Sequence, residues 1–250
     1  MLGITAAFGL AASPAPGPGA WVALPGLLLL FLARDAVLPA ALRLTQGKSS
    51  PRRFLARRLG WGTAYILLAA LLVLAALALA PDSSSASARA AAAVLLSLGA
   101  LHAGLALAGR DRTAWGEVLG MTGLAAGGPF VAACGGVDGG ASILAPGLLA
   151  LGYFVSSLVF VREYRTRAGR EREAALQSLA AHAILGCGLA VASVAGLIDP
   201  WAALAFVIVI ARAVWAVAVP APNLRALGLR ELAVAALFLV LGVAGLRAGI

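Results

Sequence analysis

The sequence predicts an all-α polytopic membrane protein: a transmembrane helical bundle of about nine spans, the first one short. Three observations predict it. Apolar residues make up 62% of the chain and mean hydropathy is +0.99, whereas soluble domains are about 45–50% apolar. One globular core cannot bury that excess, so lipid must solvate much of the surface. Charged residues are only 12%, roughly half the usual share, and they gather between apolar runs rather than along them. Those gatherings also alternate in sign along the chain. Transmembrane strands would instead alternate apolar and polar residues over about ten positions, and no such alternation occurs.

Taken in order, Met1–Ala12 is apolar but about half a span in length. It is followed by the breaker-rich Ser13–Gly19. No positive region precedes it, so cleavage as a signal peptide is not expected. Ala20–Ala33 opens the second span, meets Arg34-Asp35 and resumes as Ala36–Leu44, with Trp21 as an interfacial anchor. Gln46–Arg58 is a basic loop carrying Lys48, Arg52, Arg53, Arg57 and Arg58. Further spans are Trp61–Ala80, Ala90–Ala108, Trp115–Cys134, Ile143–Val161, Leu176–Leu197, Trp201–Val219 and Glu231–Leu246. Their connections are Pro81–Ser87, Arg110-Asp111-Arg112, Gly135–Gly140, the arginine cluster Arg162–Glu173, Asp199-Pro200 and Pro220–Gly228. None is long enough for a soluble domain, so residues 1–250 form a single integral membrane domain.

One set of connections holds Lys48 to Arg58, Arg110, Arg112, Arg162 to Arg172, Arg225 and Arg230. The other holds Asp82, Asp138 and Asp199, with Arg89 and Arg247 as basic exceptions. The positive-inside rule makes the first set cytoplasmic, which puts the N-terminus inside and the C-terminus outside. The same rule accounts for the net charge of +9, and no nucleic-acid-binding motif accompanies it. Cys134 and Cys187 lack CxxC partners and are expected to pack in the bundle.

Ionisable residues inside a span cost about 2.5–3.5 kcal/mol each on insertion scales, so their depth is informative. His102, His182 and Arg212 lie roughly 10, 9 and 12 Å from the cytoplasmic ends of their spans at the helical rise. Glu117 lies in the first turn of its span. Arg34-Asp35 and Arg162-Glu163 close spans on that side, and Arg230-Glu231 opens one. With Arg165 these residues define an expected cytoplasm-facing polar pocket for an anionic lipid or phosphorylated ligand. Arg34, Arg162 and Arg230 are equally placed to snorkel to headgroups. Arg212 lies too deep for that and needs a partner, for which Glu117 is the expected one. No HExxH, P-loop, nucleophile elbow, paired CxxC or Asp-rich diphosphate box is present, so no cofactor or metal is expected. Gly116 and Gly120 have the spacing of a close helix contact.

Leu149–Arg167 (LALGYFVSSLVFVREYRTR) resembles a YFxSSxLYVRxxIR segment of the YwiC-like family of bacterial multi-pass membrane proteins. Phe31–Asp35, Trp115–Leu124 and Leu227–Leu239 resemble further elements of that family, in the same order. The family's N-terminal EHGAWAM-like motif corresponds either to Pro18-Gly19-Ala20-Trp21, without its Glu and His, or to residues ending at Met1-Leu2-Gly3. The second alternative makes the first span incomplete at its start. The resemblance implies a bacterial cytoplasmic (inner) membrane and a topology, but no reaction. Nine spans with these ends also resemble the UbiA prenyltransferase architecture. Where that superfamily carries Asp-rich motifs, this chain carries Arg34-Asp35 and Arg162-Glu163-Tyr164-Arg165. Three functions follow as expectations: binding of anionic lipid by the arginine face, a UbiA-like enzyme or relic acting on a lipid phosphate, and transport of a small solute. The first is the favoured reading, and an enzyme would be a transferase acting on a lipid or isoprenoid phosphate.

Overall fold

A computed structural model describes residues 1–45, 52–166, 171–218 and 224–249. Lys48, Arg167 and Arg170, and the side chains of Arg52, Glu163, Arg165 and Arg172, lie outside the described residues. The described chain is helical, without strands: α1 (Leu2–Ala11), α2 (Pro18–Thr45), α3 (Arg52–Ala78), α4 (Ser85–Leu107), α5 (Ala114–Ala125), α6 (Gly127–Cys134), α7 (Gly140–Thr166), α8 (Glu171–Val194), α9 (Pro200–Leu204), α10 (Phe206–Ala218) and α11 (Leu224–Ala248). Seven stretches within it are long and apolar enough to cross a membrane, and Leu2–Ala11 and Pro200–Ala216 are shorter apolar helices. The protein is a multi-pass membrane protein. Its outer surface agrees: Leu67, Leu71 and Leu74 of α3 and Leu101 of α4 are each at least 60% exposed, a surface that only lipid solvates without penalty.

Two helix-packing regions make the interior. On one side α2, α3, α4 and α6 meet through small residues, with Ala20, Ala23, Ala76, Ala88 and Ala133 buried. Gly19 lies so close to the carbonyls of Ala76 and Cys134 that a Cβ there would overlap backbone. Small residues let backbones approach, which is how helices gain dispersion energy in a solvent as apolar as themselves. On the other side α1, α7 and α11 meet at an aromatic trio. The Phe8 ring stands edge-on to Phe238 at 5.5 Å, and Phe238 stacks on Tyr153 at 4.7 Å. Gly242 leaves the room that the Phe8 ring fills. The short first helix is therefore a core element and not a peripheral one.

The helix ends segregate by charge. At one end Ser13 Oγ and Gly17 N both donate to the Gly135 carbonyl, each at 3.2 Å. Ala12, Ala141, Ser193, Asp199 and Gly249 line a common hollow of about 260 Å³ there. The turns at this end carry Asp138 and Asp199, and the Asp199 side chain caps α9 by accepting from Trp201 N at 2.8 Å. The arginine contacts described below lie at the opposite end.

Several boundaries differ from expectation. Arg34-Asp35 does not close a span: α2 continues to Thr45 and pairs along its length with α3, which is already helical at Arg52. The charges stay outside the packed interior there: the Arg34 and Asp35 side chains are 42% and 61% exposed and 3.8 Å apart, and Arg58 of α3 donates to the Asp35 backbone carbonyl at 3.0 Å. The expected span Trp115–Cys134 stands as one apolar stretch, Ala114–Cys134, with a turn at Ala126 between α5 and α6, where Pro129 cannot donate to the Ala125 carbonyl. Trp201–Val219 divides at Ala205 into α9 and α10. Residues Arg225–Gly228 are helical rather than loop. Cys134 is buried as expected, but Cys187 is exposed on the outer surface of α8, so packing does not explain it.

Candidate functional site

Apart from Arg165, whose side chain lies outside the described residues, and Arg230, which belongs to neither, the polar residues singled out from the sequence fall into two groups that both reach α7. The deeper group centres on Arg212 of α10. Its side chain is 3% exposed and pairs with Glu231 of α11 at 2.7 Å. The same nitrogen donates to Ser157 Oγ at 3.2 Å. The other terminal nitrogen donates to Ser156 Oγ at 2.8 Å and to His182 Nε2 at 3.0 Å. The guanidinium also lies 4.5 Å over the Phe160 ring. An apolar interior tolerates a cation only when its donors are met. Here α7, α8 and α11 all meet them, and among the described residues Nε alone lacks an acceptor. Glu117 is thus not the partner of Arg212. Glu231 is, because α11 lies against α10 at this level, whereas Glu117 on α5 faces α7.

The shallower group lies between α2, α4, α5 and α7. Arg34 donates to His102 Nε2 at 3.2 Å, and His102 Nδ1 donates to the Gly116 carbonyl at 3.2 Å. Asp35 is 3.8 Å from Arg34. Glu117 lies at ion-pair distance from Arg162, 3.2 Å. Arg230 sits 4.7 Å over the Trp215 ring. Arg165 lies on α7.

The two histidines are held alike. Arginine can only donate, so each Nε2 must accept. Each Nδ1 then carries the proton and donates to a backbone carbonyl, Gly116 for His102 and Ser178 for His182, the latter at 2.7 Å. Both imidazoles are consequently neutral Nδ1–H tautomers in this arrangement. Gly116 and Gly120, noted above for their spacing alone, form the seat of His102: one supplies the carbonyl, and a Cβ on the other would stand 2.8 Å from the ring. Adding a methyl to an exposed helical glycine normally stabilises by up to about 1 kcal/mol. Gly188→Ala, where nothing lies within 4 Å, is expected to follow that rule. Gly120→Ala is expected instead to destabilise by about 1–2 kcal/mol, read by denaturant unfolding in detergent.

Sequence reasoning does not single out Ser156 and Ser157, although a signal for them exists. They are adjacent hydroxyls in the otherwise apolar run Leu148–Val161, interrupted only by Tyr153. Among the described residues no cluster of His, Cys, Asp and Glu is placed to hold a metal ion. Comparisons with protein-family models, curated proteins and solved structures find no match for this chain. The chemistry of the site therefore rests on its own atoms. The buried group is a clamp across four helices that meets both terminal nitrogens of Arg212 and leaves Arg212 Nε, Glu231 Oε1 and Ser178 Oγ without a partner among the described residues. In the shallow group the Arg34 and Arg162 side chains remain 42% and 45% exposed.

Proposed function

We propose that this membrane protein binds an anionic, phosphate-bearing lipid headgroup at its arginine end. The carrying observation is the surface shared by α2 and α3. Arg43 and Arg58 both lie over the Phe54 ring, at 4.9 and 5.2 Å. Arg58 is also tied to the Asp35 carbonyl, beside Arg34. Arg34, Arg43 and Arg58 thereby share the α2–α3 surface, Arg34 at 3.8 Å from the Asp35 carboxylate and Arg58 on the Asp35 backbone carbonyl. Planar guanidinium groups suit phosphate oxygens, and ordering them beforehand lowers the entropy lost on binding. The positive-inside rule supports placing this end in the cytoplasm, with nine passes when the two short helices are counted. The likeness to YwiC-like proteins, and with it a bacterial inner membrane, belongs to this proposal. It is supported by the segment Leu149–Arg167, which contains the two serines that hold Arg212.

Each arginine near an anionic surface contributes about 1 kcal/mol. The triple variant Arg34→Gln, Arg43→Gln, Arg58→Gln is expected to bind phosphatidylglycerol on the order of a hundredfold more weakly. The measurement is lipid retention by the full chain in phosphatidylcholine nanodiscs across a salt series. Retention that is indifferent to salt and to the triple variant sinks the reading.

A further inference from the structure

The two arginine–histidine pairs share one geometry but differ in what else holds the arginine. Arg212 has Glu231, Ser156 and Ser157 besides its imidazole, and His182 is completely buried. Arg34 has, among the described residues, only His102 and a long contact to the half-exposed Asp35. His102 is only partly buried. We infer that the Arg34–His102 pair is a proton-operated phosphate site: His102 occupies Arg34 when neutral and joins it in holding a phosphate oxygen when protonated. This rests on the headgroup-binding reading above and adds its regulation.

The chemistry is a change from acceptor to donor. Neutral Nε2 accepts from Arg34. A proton on Nε2 sets two N–H donors against each other, and that contact must open. The ring itself stays seated, because Nδ1–H still donates to the Gly116 carbonyl and the ring still rests on Gly120. Two donors then diverge from one point, with an added positive charge, and a phosphate oxygen is the acceptor that both can share. The surroundings set the balance. From α2 Arg34 contacts His102, Asp35 lies 3.8 Å from Arg34, and Arg58 of α3 donates to the Asp35 backbone carbonyl. From α5 comes Glu117, whose carboxylate is engaged by Arg162 of α7. The turn between α4 and α5 adds Arg110, Asp111 and Arg112. Cations outnumber carboxylates, so an imidazolium there calls for an anion from outside the chain. Histidine is the side chain that changes charge between about pH 5 and 8, and a ligand that prefers the protonated form takes up a proton as it binds.

The test uses the full chain in phosphatidylcholine nanodiscs, titrated with phosphatidylglycerol at pH 5.5 and 7.5 at constant ionic strength. That phosphodiester keeps its charge across this range, so any change belongs to the protein. The wild type is expected to bind about tenfold more tightly at pH 5.5. His102→Gln, which cannot titrate, is expected to bind equally at both, and His182→Gln to keep the tenfold ratio. Nitrogen NMR of histidine-labelled wild-type protein is expected to show Nε2 of His102, and not of His182, gaining a proton on acidification. Millimolar inorganic phosphate, added as competitor at pH 5.5, distinguishes a free-anion site, which it displaces, from a headgroup site, which it does not. Equal affinity at both pH values in the wild type, or a ratio that survives in His102→Gln, overturns the switch while leaving headgroup binding intact. Absence of binding at either pH overturns both.

Discussion

Arg212→Ala is expected to destabilise the protein by about 3–5 kcal/mol, the cost of stranding one partner of a buried ion pair. The substitution removes four hydrogen bonds at once. Glu231 is left as an uncompensated carboxylate that is 17% exposed, and His182 Nε2 is left as a buried acceptor without a donor. The cost therefore comes mainly from these stranded groups and only secondarily from the hydrogen bonds removed. A second variant separates the two. Arg212→Met combined with Glu231→Leu removes both charges and keeps volume, so most of the stability is expected to be recovered. Urea unfolding in detergent measures both, and a single-variant cost below about 1 kcal/mol would contradict the clamp.

Phe8→Ala is expected to cost about 2–4 kcal/mol. In a soluble protein the figure would be about 3–5 kcal/mol, combining transfer from water with the cavity left behind. In a bilayer the transfer contribution largely disappears, since lipid is as apolar as the core. The cavity remains: Phe8 is fully buried and stands edge-on to Phe238, over Gly242. Leu67→Ala on the lipid-facing side of α3, where Leu67 is 66% exposed, is expected to stay within about 0.5 kcal/mol. Near-equal effects at the two positions would mean that α1 is not part of the core.

The membrane class, the positions of the long apolar helices and the division of acidic turns from arginine-rich ends are all legible in the sequence. Each is a property of local composition, and lipid punishes exceptions severely. Pairings between helices are not legible. Depth along a helix suggests Glu117 for Arg212, but depth says nothing about which helices are neighbours. Glu231 stands out as a polar residue, yet its place beside Arg230 makes it look like a boundary marker. Reading Arg34-Asp35 as the end of a span assumes that charges must leave the membrane where they occur. The fold escapes that assumption because α2 runs on through Arg34-Asp35 with both side chains on its exposed surface, 3.8 Å apart, while α3 folds back along it. The break before α6 is marked in the sequence by Gly127-Gly128-Pro129, a proline after two glycines, which outweighs an otherwise continuous apolar run. His102 requires its seat to be seen: Gly116 and Gly120 read as a helix-contact spacing because a glycine's spacing cannot reveal that an imidazole fills the gap.

The segment formed by α9 and α10 has a consequence for the surrounding bilayer. Trp201 and Trp215 stand at its two ends, 64% and 50% exposed, and the rise between them is roughly 21 Å. A typical hydrocarbon layer is about 30 Å thick. The apolar stretches of α3 and α4, 26 residues each, are longer than the Pro200–Ala216 segment, so the apolar wall of the protein is of unequal height around its circumference. Where such a short segment crosses a bilayer, the lipid beside it would have to thin to match the tryptophans, and the headgroups would be drawn inward toward Arg212. Arg212, buried as it is among its neighbours, would then lie closer to water than its place in the helix implies.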